Sequence, residues 1–549
     1  MKTKLLISLA LGLGLTLAFM GAMAGGTPVA RAANIPVGTL LDGVADNHSC
    51  TLREAIISAN TDTAVDDCII GAGADSISLK EGTYMLTLAG SGEDLGATGD
   101  LDIAGPLTIT GSGPGETVID ANGIDRVFDI LPGAGTVILS NLSIINGNVA
   151  GAGGGIRSDG ANLTLINVEV VSNTASGSLP DGRGGGMLID DGSLLLDGAQ
   201  ILSNTAAWGG GIHLQSSALT QTGSTTIAYN HSNGDGGGLS IVSARVTITG
   251  GQVLSNTADD DGGGIYMWSM DSMLNMTDVD IVDNYADGYG GGIEVADGGV
   301  TMSGGRIISN TASSNGGGIR VNSDGILTQT GASLITGNTA VAGGGVSIVL
   351  SGQATLNGGQ VISNVASFRG GGMYVGNGSK LTLVNVIVSD NEAAQYGGGL
   401  DTTGAVTVTH TTIAINTGRG IYRGDPGVVL LQNTLIAHNT PANCNTSTGL
   451  TSAGYNLDSG TSCDLSATGD ITDTDPLLGP LTNDGGVWVH PLLEDSPAIN
   501  AGDPAFVPPP AYDQRGSGFP RVVGGRVDIG AYEAAGASTA TYLPLVVKN

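Results

Sequence analysis

Cations and aromatics are scarce in this chain of 549 residues: 19 Lys and Arg stand against 50 Asp and Glu, and aromatics make up 4%. A formal charge of −31 repels phosphate backbones and anionic lipid, which excludes nucleic acid as a partner. Cysteines number four, spaced wrongly for a zinc site. They fall into two local pairs, Cys50 with Cys68 and Cys444 with Cys463, and in an exported chain such pairs read as disulfides. Long apolar runs are missing after Leu5–Met20, so no segment beyond that point is expected to span a bilayer. That run follows Lys2 and Lys4 and precedes Ala30-Arg31-Ala32, the pattern of a signal peptide cut after Ala32. The expected location is therefore secreted or cell-surface.

Glycine is plentiful, at 94 residues, but has no Gly-X-Y period, which excludes collagen. Glycine triplets begin at 153, 184, 209, 236, 262, 290, 316, 343, 370 and 397, and an apolar residue follows each one. An Asn precedes each triplet from the second onward, as Asn256 precedes Gly262 and Asn310 precedes Gly316, and Val or Ile lies three positions before that Asn. A period near 27 residues is the mark of a repeat architecture. Between the punctuation lie short alternating β-branched segments such as Val246-Thr247-Ile248, which read as strands. Three strands and three turns per period build one coil of an all-β, right-handed parallel β-helix, with coils about 4.8 Å apart.

In such a coil Gly262, Gly263 and Gly264 form a tight corner with φ > 0, and Asn supports the left-handed backbone and ladders along the axis. Neither a phosphate loop nor a calcium roll fits, because no Gly-Lys-Ser/Thr and no nonapeptide calcium repeat is found. Asp259, Asp260 and Asp261 read as a solvated acidic tip. No cofactor or metal site is expected.

At the N-terminal end, CTLREAIISAN has capping-box spacing at Thr51 and Glu54 and an apolar face of Leu52, Ala55, Ile56 and Ala59. A helix there would plug the first coil. CTLREAI with GADSISLKEGTYMLTL resembles the CSLREA domain of exported bacterial proteins, with Thr51 where that pattern has Ser. The repeats resemble those of polymorphic outer membrane proteins and pectin-lyase-like β-helices, with Val or Ile for Phe and Gly for Ala. DPLLGPLTNDGG, SPAINAGDP and DIGAYE look like a choice-of-anchor Q domain, and YLPLVVKN is similar to tails of exported proteins. The expected division is 1–32 signal peptide, 33–100 cap and first strands, 101–440 repeats, 441–533 C-terminal cap, and 534–549 linker and tail. The resemblances imply an exported β-helix and assign no function.

Strand alternation picks an outward row beside the glycine corner, in which Tyr266, Glu294 and Arg320 adjoin on successive coils, with Trp268 beside them and His213 further along. Two readings stay open for this row: a solvated strand face, or a groove touching carbohydrate or another cell-surface ligand. The first fits an envelope or adhesin-like structural role as well as the second does. The alternative is a polysaccharide-degrading lyase or hydrolase. Against it, Asp190 and Glu294 are three coils apart, roughly 14 Å, too far to act on one bond. A lyase would need a base beside a bound calcium; Arg320 is a candidate, yet no acidic cluster is evident nearby. No catalytic residue is assigned.

Overall fold

The structure is a computed structural model that describes residues 32–178, 181–445 and 449–535. The run expected to be a signal peptide and most of the expected tail lie outside these residues. The described chain is a parallel β-helix. Strands that follow the glycine triplets, such as Ile265–Trp268, stack in a sheet of 13. Each coil continues through two more strands, as in Met273–Thr277 and Asp280–Val282, and then a two-residue strand after the Asn, as in Tyr285–Ala286. Register is kept from coil to coil, with Ile265 on Ile293, Leu274 on Val300 and Ile281 on Ile307. Alternate residues point inward, so Ile265, Leu274, Ile281 and their counterparts are fully buried in one continuous core.

The asparagines form an unbroken ladder. Asn256 Nδ2 donates to Asn284 Oδ1 at 3.0 Å and to the Ile227 carbonyl at 2.9 Å, and its backbone N–H donates to the same Asn284 oxygen at 2.9 Å. The same pattern runs from Asn173 to Asn439. The left-handed backbone is not at the Asn, however. It belongs to the preceding residue, Ser255 (φ 52°) before Asn256 and Ser309 (φ 56°) before Asn310. The Asn side chain satisfies backbone groups that this bend releases.

The triplet also divides its work differently from the expectation. Only Gly262 takes a positive φ, +67°. Gly263 and Gly264 are required by space: a Cβ on Gly263 would lie 2.4 Å from the Tyr285 carbonyl oxygen, and one on Gly264 would lie 2.6 Å from that of Gly292. Neighbouring coils pass too closely here for any side chain.

Both cysteine pairs are disulfides, Cys50–Cys68 and Cys444–Cys463. The N-terminal helix spans Leu52–Thr61, with Thr51 and Glu54 in a complete capping box. Its buried face is wider than its apolar one, because Arg53 and Glu54 are buried with Leu52, Ala55 and Ile56. Arg53 pairs with Asp42 at 2.7 Å and donates to the carbonyls of Gly96, Gly99 and Asp100. Asn60 Nδ2 donates to the Asp102 carbonyl at 2.7 Å. The cap helix thus fixes the segment that leads into the first coils.

Past Asn439 parallel pairing continues further than the lapse of the repeat suggests, through Leu457–Asp458 and Ile471–Thr472. From there the chain runs back along the flank. Trp488 N–H donates to Gln360 Oε1 at 2.7 Å, Ser389 Oγ meets His490 Nε2 at 2.8 Å, and Asn385 donates to the Tyr512 carbonyl at 2.7 Å. The DQRG and DIGAYE residues hold this strap to itself. Arg515 binds Asp513 and Asp484, Glu533 accepts from the N–H groups of Val523 and Asp528, and fully buried Arg521 donates to the Ala531 carbonyl and meets His410. Their job is structural, since each polar atom named here is turned onto the protein.

Candidate functional site

Two rows of side chains flank the glycine corner. One is the outward row of the strand after each triplet: Arg157, Leu188, His213, Ser240, Tyr266, Glu294, Arg320, Ser347, Tyr374, Asp401, Tyr422 in register order. The other is the residue immediately before each triplet, among them Arg183, Trp208, Asp235, Asp261, Tyr289, Arg369 and Tyr396. The second row was not anticipated. Its only sequence signal is a fixed offset from the first glycine, which carries no conserved residue type. Across the corner the rows touch in pairs, and those pairs set the chemistry.

Tyr266, Glu294 and Arg320 do lie on successive coils. They are not a solvated face. Glu294 is fully buried, and Arg320 donates to its Oε1 at 2.6 Å while its guanidinium lies 3.8 Å over the ring of Tyr289. Burial pushes Glu294 up to about 8, against the pull of Arg320, and its Oε2 makes no hydrogen bond among the described residues. Trp268 stands apart. Strand pairing to the next coil ends at Met267 on Val295, and Trp268 beyond it is 49% exposed. His213 is buried instead of solvated: it lies 6.4 Å from Trp208 in a stacked arrangement, and burial holds it down to about 3. Among the described residues the row is thus broken into local pairs.

The acidic tip is also different from its expectation. Asp260 and Asp261 converge with Asp235 of the preceding coil, each offering an oxygen within 4.8 Å of the others, while Asp259 turns to His231. Burial and the two neighbouring carboxylates raise Asp235 to about 7. Arg320 acts on Asp261 through its charge, so an acidic cluster does lie near that cation. Asp190 plays no part; four coil steps separate its strand from that of Glu294, one more than the repeat count suggests.

Toward the C-terminal end the paired rows become aromatic. The rings of Tyr396 and Tyr422 are 4.7 Å apart, and Phe368 meets Tyr396 edge-on at 5.6 Å. Arg369 lies 4.7 Å from the Tyr374 ring and is held by a two-pronged bond to Asp401 at 2.8 and 3.1 Å. Arg419 lies 6.0 Å from the Tyr422 ring centre, and its Nε makes no hydrogen bond among the described residues. Phe368 is exposed, and Tyr374, Tyr396 and Tyr422 are half-exposed. Four of the chain's 17 Phe and Tyr residues gather here, over three successive coils. Flat apolar faces beside guanidinium groups, that of Arg369 held by Asp401, can stack on a ring and meet an anionic substituent.

No family model and no curated protein sequence matches the chain. The CSLREA-like and choice-of-anchor Q-like segments therefore rest on their own residues. Among solved structures, the crystal structure of pectate lyase Pel9A matches at 14% identity and a TM-score of 0.26, with 92% of this chain and 98% of that chain covered.

Proposed function

We propose that the protein is exported and acts outside the cell as an adhesin-like β-helix that binds an acidic polysaccharide at its aromatic end. The observation that carries this reading is the platform of Phe368, Tyr374, Tyr396 and Tyr422 flanked by Arg369 and Arg419. Half-exposed rings give up apolar surface to water unless something covers them, and a sugar ring has the matching flat apolar face. Two disulfides fit an oxidising compartment. No described helix is long and apolar enough to cross a membrane. On this reading residues 1–32 direct export, 33–100 close the first coil, 101–440 carry the binding surface, 441–533 brace its far end, and 534–549 form the tail.

The test is a glycan array on the mature protein, followed by titration with polygalacturonate, alginate and neutral xylan. Binding to a polyuronate, weakened at least about tenfold by Tyr396→Ala with Tyr422→Ala, supports the reading, a change equivalent to ~1.4 kcal/mol. Neutral and acidic glycans bound equally, or none bound, would refute it. A second reading, cleavage of a polysaccharide, draws on Asp235: a carboxyl raised to about 7 beside other carboxylates is the pattern of a general acid. Unsaturated-uronate absorbance and reducing-end release from the same polymers, lost in Asp235→Asn, would favour it.

A further inference from the structure

A second acidic group, outside the platform and the Asp235 cluster, sits where the cap meets the first coils. Asp100, Asp102 and Asp129 each offer an oxygen within 4.8 Å of the others, and all three are buried. Asp102 and Asp129 face each other on paired strands, and Arg157 follows Asp129 on the next coil. The polar contacts are these. Asp100 Oδ2 accepts from Arg126 at 2.5 Å, and Asp129 Oδ2 accepts from Arg126 at 2.9 Å and Arg157 at 3.0 Å. Asp102 Oδ2 accepts only the Gly96 N–H, at 2.7 Å. Of the three Oδ1 oxygens, those of Asp102 and Asp129 are buried without any hydrogen-bond partner among the described residues.

A buried carboxylate oxygen with no donor is destabilising, and more so when ionised. Two of them in one cluster need a cause. The charges do not balance either. Asp100, Asp102, Asp125 and Asp129 act on one another, with Glu93 and Asp94 also in range, while the guanidiniums facing them are Arg126 and Arg157.

We propose that Asp100, Asp102 and Asp129 hold a divalent cation of the calcium class, which ties the segment gripped by Arg53 to the first coils. All donors are oxygens, with no His or Cys among the three, so a hard cation is favoured over zinc or copper. Calcium tolerates an irregular oxygen set completed by water, whereas magnesium demands near-ideal octahedral geometry. The two orphaned oxygens become ligands. Arg126 and Arg157 keep the oxygens they already hold.

The probe is calcium itself, added to chelator-treated mature protein and read by displacement of terbium luminescence and by melting. Saturable binding with a Kd in the range of about 10⁻⁴ M or tighter is expected, with magnesium at least about tenfold weaker. Calcium at about ten times that Kd should raise Tm by roughly 1–2 °C. Asp102→Asn should lose one site, and Asp271→Asn, an exposed acid elsewhere, should keep it. No saturable binding up to about 10 mM overturns the proposal. So does binding that Asp102→Asn leaves unchanged. If Asp102→Asn does not fold, wild-type protein decides: calcium should slow proteolytic cleavage of residues 88–100, and equal cleavage with calcium and chelator counts against the site.

Discussion

The guanidinium of Arg53, on the cap helix, donates to the carbonyl of Asp100 at 2.8 Å, although 47 residues separate them. With its bonds to Gly96, Gly99 and Asp42, every direction of this buried cation is taken up by the segment that opens the β-helix. Arg53→Ala would take the cation from Asp42, which keeps only the Thr87 and Leu88 N–H groups, and the Arg53 donors from three carbonyls. The expected loss is about 3–5 kcal/mol, the range for removing one partner of a buried pair. Lysine, with a single ammonium on a flexible stem, should recover less than half of it. Chemical denaturation combined with proteolysis at the cap checks this; a wild-type melt for Arg53→Ala would contradict it.

Asn284 connects three coils, accepting from Asn256 and donating to Asn310 and to the Val253 carbonyl. Asn284→Ala would strand the Asn256 side-chain and backbone N–H groups and that carbonyl. The cost should be roughly 2–4 kcal/mol, from one or two buried groups left unpaired. Each coil touches only its neighbours, so amide exchange should quicken near residues 253–310 and stay unchanged beyond about residue 370. Uniform loss of protection would show a cooperative unit larger than a few coils.

Gly263→Ala tests the close passage of coils. Its Cβ would press on backbone oxygens 2.4 and 2.5 Å away, which have no side-chain freedom to yield. A loss of about 1–3 kcal/mol is expected from such overpacking, despite the ordinary φ at this position. Stability equal to wild type would mean that the coils can separate locally at no cost.

Stability should fall as pH rises from 6.5 to 8 in chelator. Asp102, Asp235 and Glu533 are raised to about 7 and Glu294 to about 8, far above their unfolded values. The folded state therefore binds more protons in this window and is penalised as they leave. His213 and His410, held down to about 3, oppose this trend only below about pH 6.5, where the unfolded chain protonates them. Tm should drop by roughly 2–5 °C between pH 6.5 and 8. Asp102→Asn should reduce that slope, and a Tm that rises over the window would contradict the assignment.

Much of the fold was legible because its punctuation is periodic. The triplets and asparagines mark every coil, and inward residues such as Ile265 and Ile293 follow from alternation alone. The capping box at Thr51 and Glu54 was equally plain. What each punctuation residue does was not. Position along a turn decides whether Gly262 or Gly263 bears the positive φ, and no pattern of residue types reports it. The site was harder for a related reason. Glu294, Arg320 and His213 belong to an outward row, yet the row before the triplets folds over them and buries them. Trp268 escapes only because its strand outlasts its neighbour. The aromatic platform needed both rows at once: Tyr396 lies in the one that alternation does not define, and Phe368, two residues before its triplet, lies in neither. Arg53 would pass as a solvated helical charge until its carbonyl partners are seen.

Whether the aromatic end binds an acidic polysaccharide is decided by calorimetric titration of polyuronate into four proteins: wild type, Tyr396→Ala with Tyr422→Ala, Arg419→Ala and Trp268→Ala. Wild type and Trp268→Ala should bind alike, the tyrosine variant should lose at least about tenfold, and Arg419→Ala should show a weaker salt dependence. The variants' melts should lie within about 3 °C of wild type, since the rings removed are half-exposed. Undiminished binding by the tyrosine variant, or loss of binding in Trp268→Ala alone, would contradict binding at the aromatic end.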